Sequence, residues 1–234
     1  MRVELFTILC YNINAVMNAR SVKDMSADLI IHLLQLYNNA PNEGALIHED
    51  YTFDKNGISY LLNQTVRQLW LPRDHYLVSA KAQDLWSKIT DGDIRDYFYR
   101  DRVKVKCDSK LPYYIGNAKK PSEYWTYKKG KTFSYRSVFH DEHIVPVDTI
   151  VKELLNLETI TPETVKSVLD KIYICKMLKE EDRSGGENGN CQIPKYKRNS
   201  DDYKAIIEKY YHPNGIYICG EEMEDIKNEP TESR

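Results

Sequence analysis

Apolar residues recur every three or four positions through the first hundred residues, which is the spacing of amphipathic helices. Asp24 or Ser26 could cap the first such helix, and the segment that ends at Pro41 would stop it. The apolar stripe of this helix consists of Leu29, Ile30, Leu33, Leu34, Leu36 and Tyr37. Further helices are expected at residues 57–71 and 79–89. Residues 1–100 are therefore predicted to form a helical domain for DNA binding or dimerisation.

The pattern changes after residue 101, where Val103, Val105 and Cys107 alternate with lysines at the period of a half-exposed strand. Other strands are predicted at residues 113–115, 132–135, 137–147, 171–177 and 216–219. Helices are predicted at residues 151–157, 162–169 and 201–211, and a loop at residues 182–199. The fold class is therefore expected to be α+β. A mixed α/β domain at residues 101–220 would follow the helical N-terminal part, and residues 221–234 would form an acidic tail.

The composition indicates a cytoplasmic protein without a membrane partner. The most apolar stretch, residues 29–36, is interrupted by His32 and Gln35, whereas a membrane helix needs roughly 18 consecutive apolar residues. The first residues lack the features of a signal peptide. The five cysteines are odd in number and never form a C-x-x-C pair, which favours free thiols in a reducing compartment.

Charge is unevenly distributed along the chain. The net charge of −2 argues against a dedicated nucleic-acid-binding protein, because such proteins usually carry a basic excess. Residues 102–136, however, hold ten basic residues against two acidic ones, interleaved with aromatic residues that could stack on bases. DNA is the expected partner of this segment, and RNA stays open as an alternative. The predicted contacts are Lys119, Lys120, Lys128, Lys129, Lys131, Arg136, Tyr124, Trp125 and Tyr127.

The segment from Asp141 to Pro146 is the strongest candidate for chemistry. An arbitrary Asp-Glu-His tripeptide is more often a solvated turn between strands than a reactive site. Here, Ile144 and Val145 would anchor a strand in the core, and Pro146 would terminate it. A carboxylate such as that of Glu142 can hold a hard divalent cation, and a neutral imidazole such as that of His143 can accept a proton from water. Hydrolysis of a phosphodiester requires both functions.

Residues 141–146 resemble the first motif of the HNH, or ββα-metal, nucleases, and residues 170–182 resemble its second half in layout. The resemblance implies a ββα-metal-like core with His143 as general base and Asp170 as the residue that orients it. It implies a divalent metal ion that is bound by Glu142 and Asp141. Mg²⁺ is the expected ion, with Mn²⁺ or Zn²⁺ as alternatives. Glu180 or Glu181 would supply the last ligand. The chain departs from the family in lacking the usual asparagine, the terminal histidine and a C-x-x-C pair.

Two functions remain open from the sequence. In the first, the protein is a metal-dependent DNA endonuclease of a restriction or defence type. A homodimer is compatible with this function, because an enzyme that cuts DNA with twofold symmetry normally dimerises. In the second, it is a non-catalytic nucleic-acid or protein binding module. Residues 102–136 would then be its working surface, and the segment around His143 would be structural.

Overall fold

The computed structural model describes residues 22–40, 55–114, 121–183, 198 and 200–220, with the backbone alone for residues 22–26 and 183. Lys119, Lys120, most of the predicted loop at residues 182–199 and the predicted tail at 221–234 lie outside the described residues. Among the described residues, none of the helices combines the length and apolar character that crossing a bilayer requires. The predicted α+β class is confirmed, since helices and small sheets are mixed along the chain.

Helices dominate the front of the chain, as predicted. They are α1 (Val22–Asn39), α2 (Lys55–Arg67) and α3 (Ala80–Ile89). Helix α3 begins where expected because the Ser79 hydroxyl accepts a hydrogen bond from the amide of Ala82, which would otherwise have no partner in the first turn. Helix α2 ends earlier than the predicted residue 71, and a short strand, β1 (Tyr76–Val78), precedes α3.

Two antiparallel ribbons follow. Strand β2 (Arg102–Lys104) pairs with β5 (Thr132–Ser134), and β3 (Ser109–Tyr113) pairs with β4 (Glu123–Tyr127). The strand predicted through Cys107 is shorter than expected, although the amide of Val105 still donates to the carbonyl of Lys131. The strand predicted at residues 132–135 ends at Ser134, because Tyr135–Ser137 forms a 3₁₀ turn.

The third sheet has three strands in the order β1–β7–β6. Strand β6 (Phe139–His143) is shorter than the predicted residues 137–147, because Pro146 caps the next helix instead of ending the strand. Strand β7 is Ile174–Leu178. The amide of Ile144 donates to the Tyr173 carbonyl, and that of Lys179 to the Val138 carbonyl. Since one partner rises in number as the other falls, β6 and β7 run antiparallel.

Four further helices complete the described fold. Helices α4 (Val147–Leu155) and α5 (Pro162–Leu169) lie between β6 and β7, and α6 (Lys179–Arg183) follows β7 without a loop. The prediction for α5 is confirmed, because Thr161 and Thr164 form a capping box and Pro162 occupies the first turn. Helix α4 starts before the predicted residue 151. The predicted helix at residues 201–211 is α7 (Tyr203–Ile206) continued by a π-helical turn, Ile207–Tyr211. In place of the strand predicted at 216–219, Ile218 forms an isolated bridge with Ser79.

The chain divides into two compact units. Unit 1 comprises residues 1–76, 142–175 and 193–210, and unit 2 comprises residues 77–141, 176–192 and 211–234. In unit 1, α1, α2, α4 and α5 pack against one another around buried aliphatic side chains. In unit 2, the core is aromatic and is built around Trp86, Phe133, Tyr135 and Phe139. Helices that follow the ribbons pack with α1 and α2 in unit 1. The domain bounds predicted at residues 100 and 220 stay a prediction.

Candidate functional site

Strand β6, strand β7 and helix α6 form a strand–strand–helix arrangement, since the two strands are antiparallel neighbours and α6 begins directly after β7. Within unit 2, this arrangement places Nε2 of His140 on β6 at 4.0 Å from Oδ2 of Asp182 on α6. Glu142 lies two residues after His140 and therefore projects from the same face of β6. The side chains of all three residues are half-buried. These residues could hold a metal ion.

Glu142 and Arg198 both belong to unit 1, and the arginine orients the glutamate. The guanidinium of Arg198, which is almost fully buried, donates to Oε1 of Glu142 and, at 2.7 Å, to the carbonyl of His143. A further bond of 3.2 Å reaches the carbonyl of Ile144. Three bonds from one planar group hold the end of β6 and one carboxylate oxygen in a fixed geometry. A cation at Glu142 would share this carboxylate with Arg198.

The opposite face of β6 has a different environment. The side chain of Lys176 on β7 is fully buried, and its ammonium donates to the Tyr97 carbonyl at 2.6 Å and to Oδ1 of Asp141 at 3.2 Å. The Tyr135 hydroxyl donates to the same oxygen of Asp141 at 2.7 Å. Burial lowers the pKa of Lys176, and the charge of Asp141 opposes this shift. Asp141, predicted as a metal ligand, instead neutralises a buried ammonium.

The roles predicted for His143, as general base, and for Asp170, as the residue that orients it, stay predictions. His143 is the last residue of β6 and is half-buried, and the alternation of the strand places it on the face opposite to Glu142. Asp170 is the C-cap residue of α5. In unit 1, it lines a small pocket together with Trp70 and Lys166.

Glu180 and Glu181, the predicted last ligands, point to other surroundings. Glu181 is 3% exposed, and its Oε2 accepts from the Ser79 hydroxyl at 2.6 Å and from the Leu178 amide at 2.8 Å. Burial raises the pKa of Glu181, and the bonds from Ser79 and Leu178 work in the opposite direction. Glu180 is exposed. Helix α6 therefore brings Asp182, not Glu180 or Glu181, beside the strand.

The predicted nucleic-acid contacts that the structure describes lie in unit 2. Tyr124 and Trp125 on β4 are exposed, whereas Tyr127 is half-buried. Lys128 forms an ion pair of 2.8 Å with Asp108, which lowers the pKa of Asp108. The other described basic residues of the predicted contacts are all exposed: Lys129, Lys131 and Arg136. The guanidinium of Arg136 lies over the ring of Tyr99.

Three features of this site are missing from the sequence-based interpretation: His140, Asp182 and Arg198. The sequence does hold a signal for His140, because His140 and Glu142 are separated by one residue on a predicted strand and so share a face. Asp182 belongs to a run of three acids whose orientation depends on how α6 starts. Arg198 is 56 positions from Glu142, and no local pattern links the two.

The chain matches no protein-family model, and it has no match among curated proteins or among solved structures. The resemblance to the ββα-metal nucleases therefore stays a prediction that rests on residues 141–146 and on the layout of residues 170–182. The predicted homodimer likewise stays a prediction.

Proposed function

We propose that this protein is a metal-dependent nuclease that hydrolyses phosphodiester bonds at the cluster of His140 and Asp182, with Glu142 on the same face of strand β6. One observation carries the proposal: an antiparallel strand pair followed directly by a helix brings an imidazole and a carboxylate to 4.0 Å, with a second carboxylate on the same strand face. The order strand, strand, helix is also the order of the ββα-metal core that the resemblance implies. The helices α4 and α5 are then an insertion between its two strands.

The residue types of the cluster fit a divalent cation. Carboxylate oxygens suit Mg²⁺ and Mn²⁺, and a carboxylate set with one imidazole also suits Mn²⁺ or Zn²⁺. Such a cation supplies positive charge beside a phosphate and lowers the pKa of a bound water. Half-burial of the three side chains favours this chemistry, because electrostatic interactions strengthen when water is partly excluded while a path for the substrate remains.

The role of His143 is separable from that of the cluster. His143 stands on the other face of β6, so it acts as the predicted general base only if the substrate reaches that face. The cluster would not require such a base with Zn²⁺, since Zn²⁺ can lower the pKa of a bound water to about 7. We therefore assign the hydrolysis to the His140 face.

The nucleic acid would be held by the exposed lysines and aromatic rings of unit 2. Phosphates attract lysines without regard to sequence, and bases stack on aromatic rings. The same surface supports the alternative of a binding module without catalysis, because it does not depend on the metal cluster.

Cleavage of plasmid DNA and of a labelled single-stranded oligonucleotide, with Mg²⁺, Mn²⁺ or Zn²⁺, tests the proposal. His140→Ala and Asp182→Asn are expected to lower the cleavage rate by about 10²-fold or more, because each removes a side chain that would hold the metal ion. Glu208→Gln is the matched control, since it removes an exposed carboxylate of the turn Ile207–Tyr211 that belongs neither to the cluster nor to the basic surface. Mn²⁺ binding, followed by electron paramagnetic resonance, is expected to weaken in the first two variants and to persist in the control.

Three results would contradict the proposal. Absence of cleavage with every metal leaves only the binding module. Equal activity in His140→Ala, Asp182→Asn and the control removes the cluster from the mechanism. Loss of activity in His143→Ala, with full activity in His140→Ala, moves the reaction to the other face of β6.

A further inference from the structure

The β3–β4 hairpin offers aromatic rings to solvent on two faces. Tyr124 and Trp125 are 57% and 43% exposed, and they are consecutive residues of β4. Consecutive side chains of a strand project from opposite faces, so the two rings cannot both be covered by one neighbouring layer. An exposed aromatic ring on each face gives the hairpin two flat apolar surfaces against which a ligand can pack.

Both rings are prepared for stacking. The ring of Trp125 lies parallel to that of Tyr113, with centroids 4.5 Å apart and an angle of 1° between the planes. A ring fixed by such a contact loses little freedom when a ligand packs against it. The ammonium of Lys110 lies 5.9 Å from the centroid of Tyr124. This lysine places a phosphate-binding charge beside a surface that can stack on a base.

Tyr124 also forms one wall of a groove of about 530 Å³ in unit 2. Pro112, Tyr114 and Leu85 supply further apolar surface, and the charged side chains of Lys81, Asp84 and Glu180 also line the groove. Carboxylates repel a phosphate but accept hydrogen bonds from the amino groups of bases. The groove therefore suits a base, whereas the lysines on the hairpin suit the backbone that carries it.

We infer that the hairpin and this groove bind single-stranded nucleic acid, with an unpaired base stacked on Tyr124. In a duplex, the faces of the bases are covered by their neighbours, so these rings and the groove would have no base to receive. The inference rests on the proposed function for its nucleic-acid substrate and narrows that substrate to single strands.

Fluorescence anisotropy tests this inference with a labelled 12-nucleotide single strand of mixed sequence, as DNA and as RNA, and with the matching DNA duplex. The buffer contains EDTA, so that binding is measured without hydrolysis. The single strand is expected to bind about tenfold or more tightly than the duplex. Tyr124→Ala and Trp125→Ala are each expected to weaken single-strand binding about fivefold or more, which is the effect of losing one stacked base.

Tyr60→Ala is the matched control, because Tyr60 is equally exposed but lies on α2 in unit 1, and its binding should equal that of the wild type. Circular dichroism of each variant checks that the fold is kept. Tighter binding of either DNA or RNA single strands supports the inference. Equal or tighter binding of the duplex overturns it, as does unchanged single-strand binding in both hairpin variants. Cleavage of a tightly bound duplex would leave the proposed hydrolysis standing while this inference fails. Binding of single strands without cleavage in the presence of any metal ion would support this inference and contradict the proposed hydrolysis.

Discussion

Replacement of Glu181 tests whether a buried carboxyl group links two helix starts in unit 2. The Ser79 hydroxyl accepts from Ala82 in the first turn of α3 and donates to Glu181, which also accepts from the Leu178 amide at the start of α6. One side chain thus satisfies two donors that are otherwise buried. Oε1 of Glu181 has no hydrogen-bond partner among the described residues.

The expected magnitude follows from these bonds. Each buried donor left without an acceptor costs about 1–3 kcal/mol, so Glu181→Ala should lower the free energy of unfolding by about 2–5 kcal/mol. Glu181→Gln keeps an acceptor oxygen and imitates the protonated acid, so its effect at low pH should stay under about 1 kcal/mol. The exposed neighbour provides the control, and Glu180→Gln should remain within about 0.5 kcal/mol of the wild type.

The pH dependence has a definite sign. Burial raises the pKa of Glu181 in the folded state above its value in the unfolded chain. The contribution of Glu181 is therefore fully present below the ordinary pKa of a glutamate, near 4.3, and is lost as the pH rises through the raised folded value. The glutamine variant has no such loss, so its stability relative to the wild type should increase with pH.

Urea denaturation at several pH values between 4 and 8 measures these differences. If the offset between the wild type and Glu181→Gln is the same at every pH, then Glu181 does not titrate in this range and the reasoning fails. If Glu181→Ala is as stable as the wild type, then the two bonds do not join the helix starts.

The remaining predictions concern a buried ion pair and the basic surface. Lys176→Met should lower the free energy of unfolding by about 2–4 kcal/mol, because it removes the buried partner of Asp141. Adding Asp141→Asn should restore part of that loss in urea denaturation; a double variant less stable than the single one would contradict the pairing. Reversing the charges of Lys128, Lys129 and Lys131 to glutamate should weaken nucleic-acid binding for all sequences and flatten its dependence on salt. Unchanged anisotropy titrations across a series of salt concentrations would exclude these lysines from the binding surface.

The elements that the sequence predicts best are those with local end signals. Helix α5 has its predicted bounds because Thr161, Pro162 and Thr164 fix its first turn without help from the rest of the chain. Helix α3 is fixed in the same way by Ser79. Strand β6 is overestimated because its apolar pattern continues through Val145 into the start of α4, and a run of apolar residues does not itself mark where a strand becomes a helix.

The parts that the sequence cannot predict depend on partners far along the chain. Helices α4 and α5 are amphipathic in the sequence, but no local pattern shows that they pack with α1 and α2 across the ribbons. The choice of Asp182 over its neighbours follows from the start of α6. Because Glu181 turns inward to accept from Leu178, and adjacent helix positions differ by about 100°, Asp182 faces elsewhere and meets His140.

The two faces of β6 have different surroundings. The face that carries Asp141 packs toward a fully buried lysine and the aromatic core, and its carboxylate is already committed to that buried ammonium. On the face that carries His140 and Glu142, the carboxylate of Glu142 is likewise paired, with the buried guanidinium of Arg198, and His140 lies beside Asp182. A shift of the strand by one residue would exchange the two sets of side chains, and it would leave Lys176 without its carboxylate. The structural need to neutralise Lys176 therefore fixes the register that presents His140 and Glu142 together.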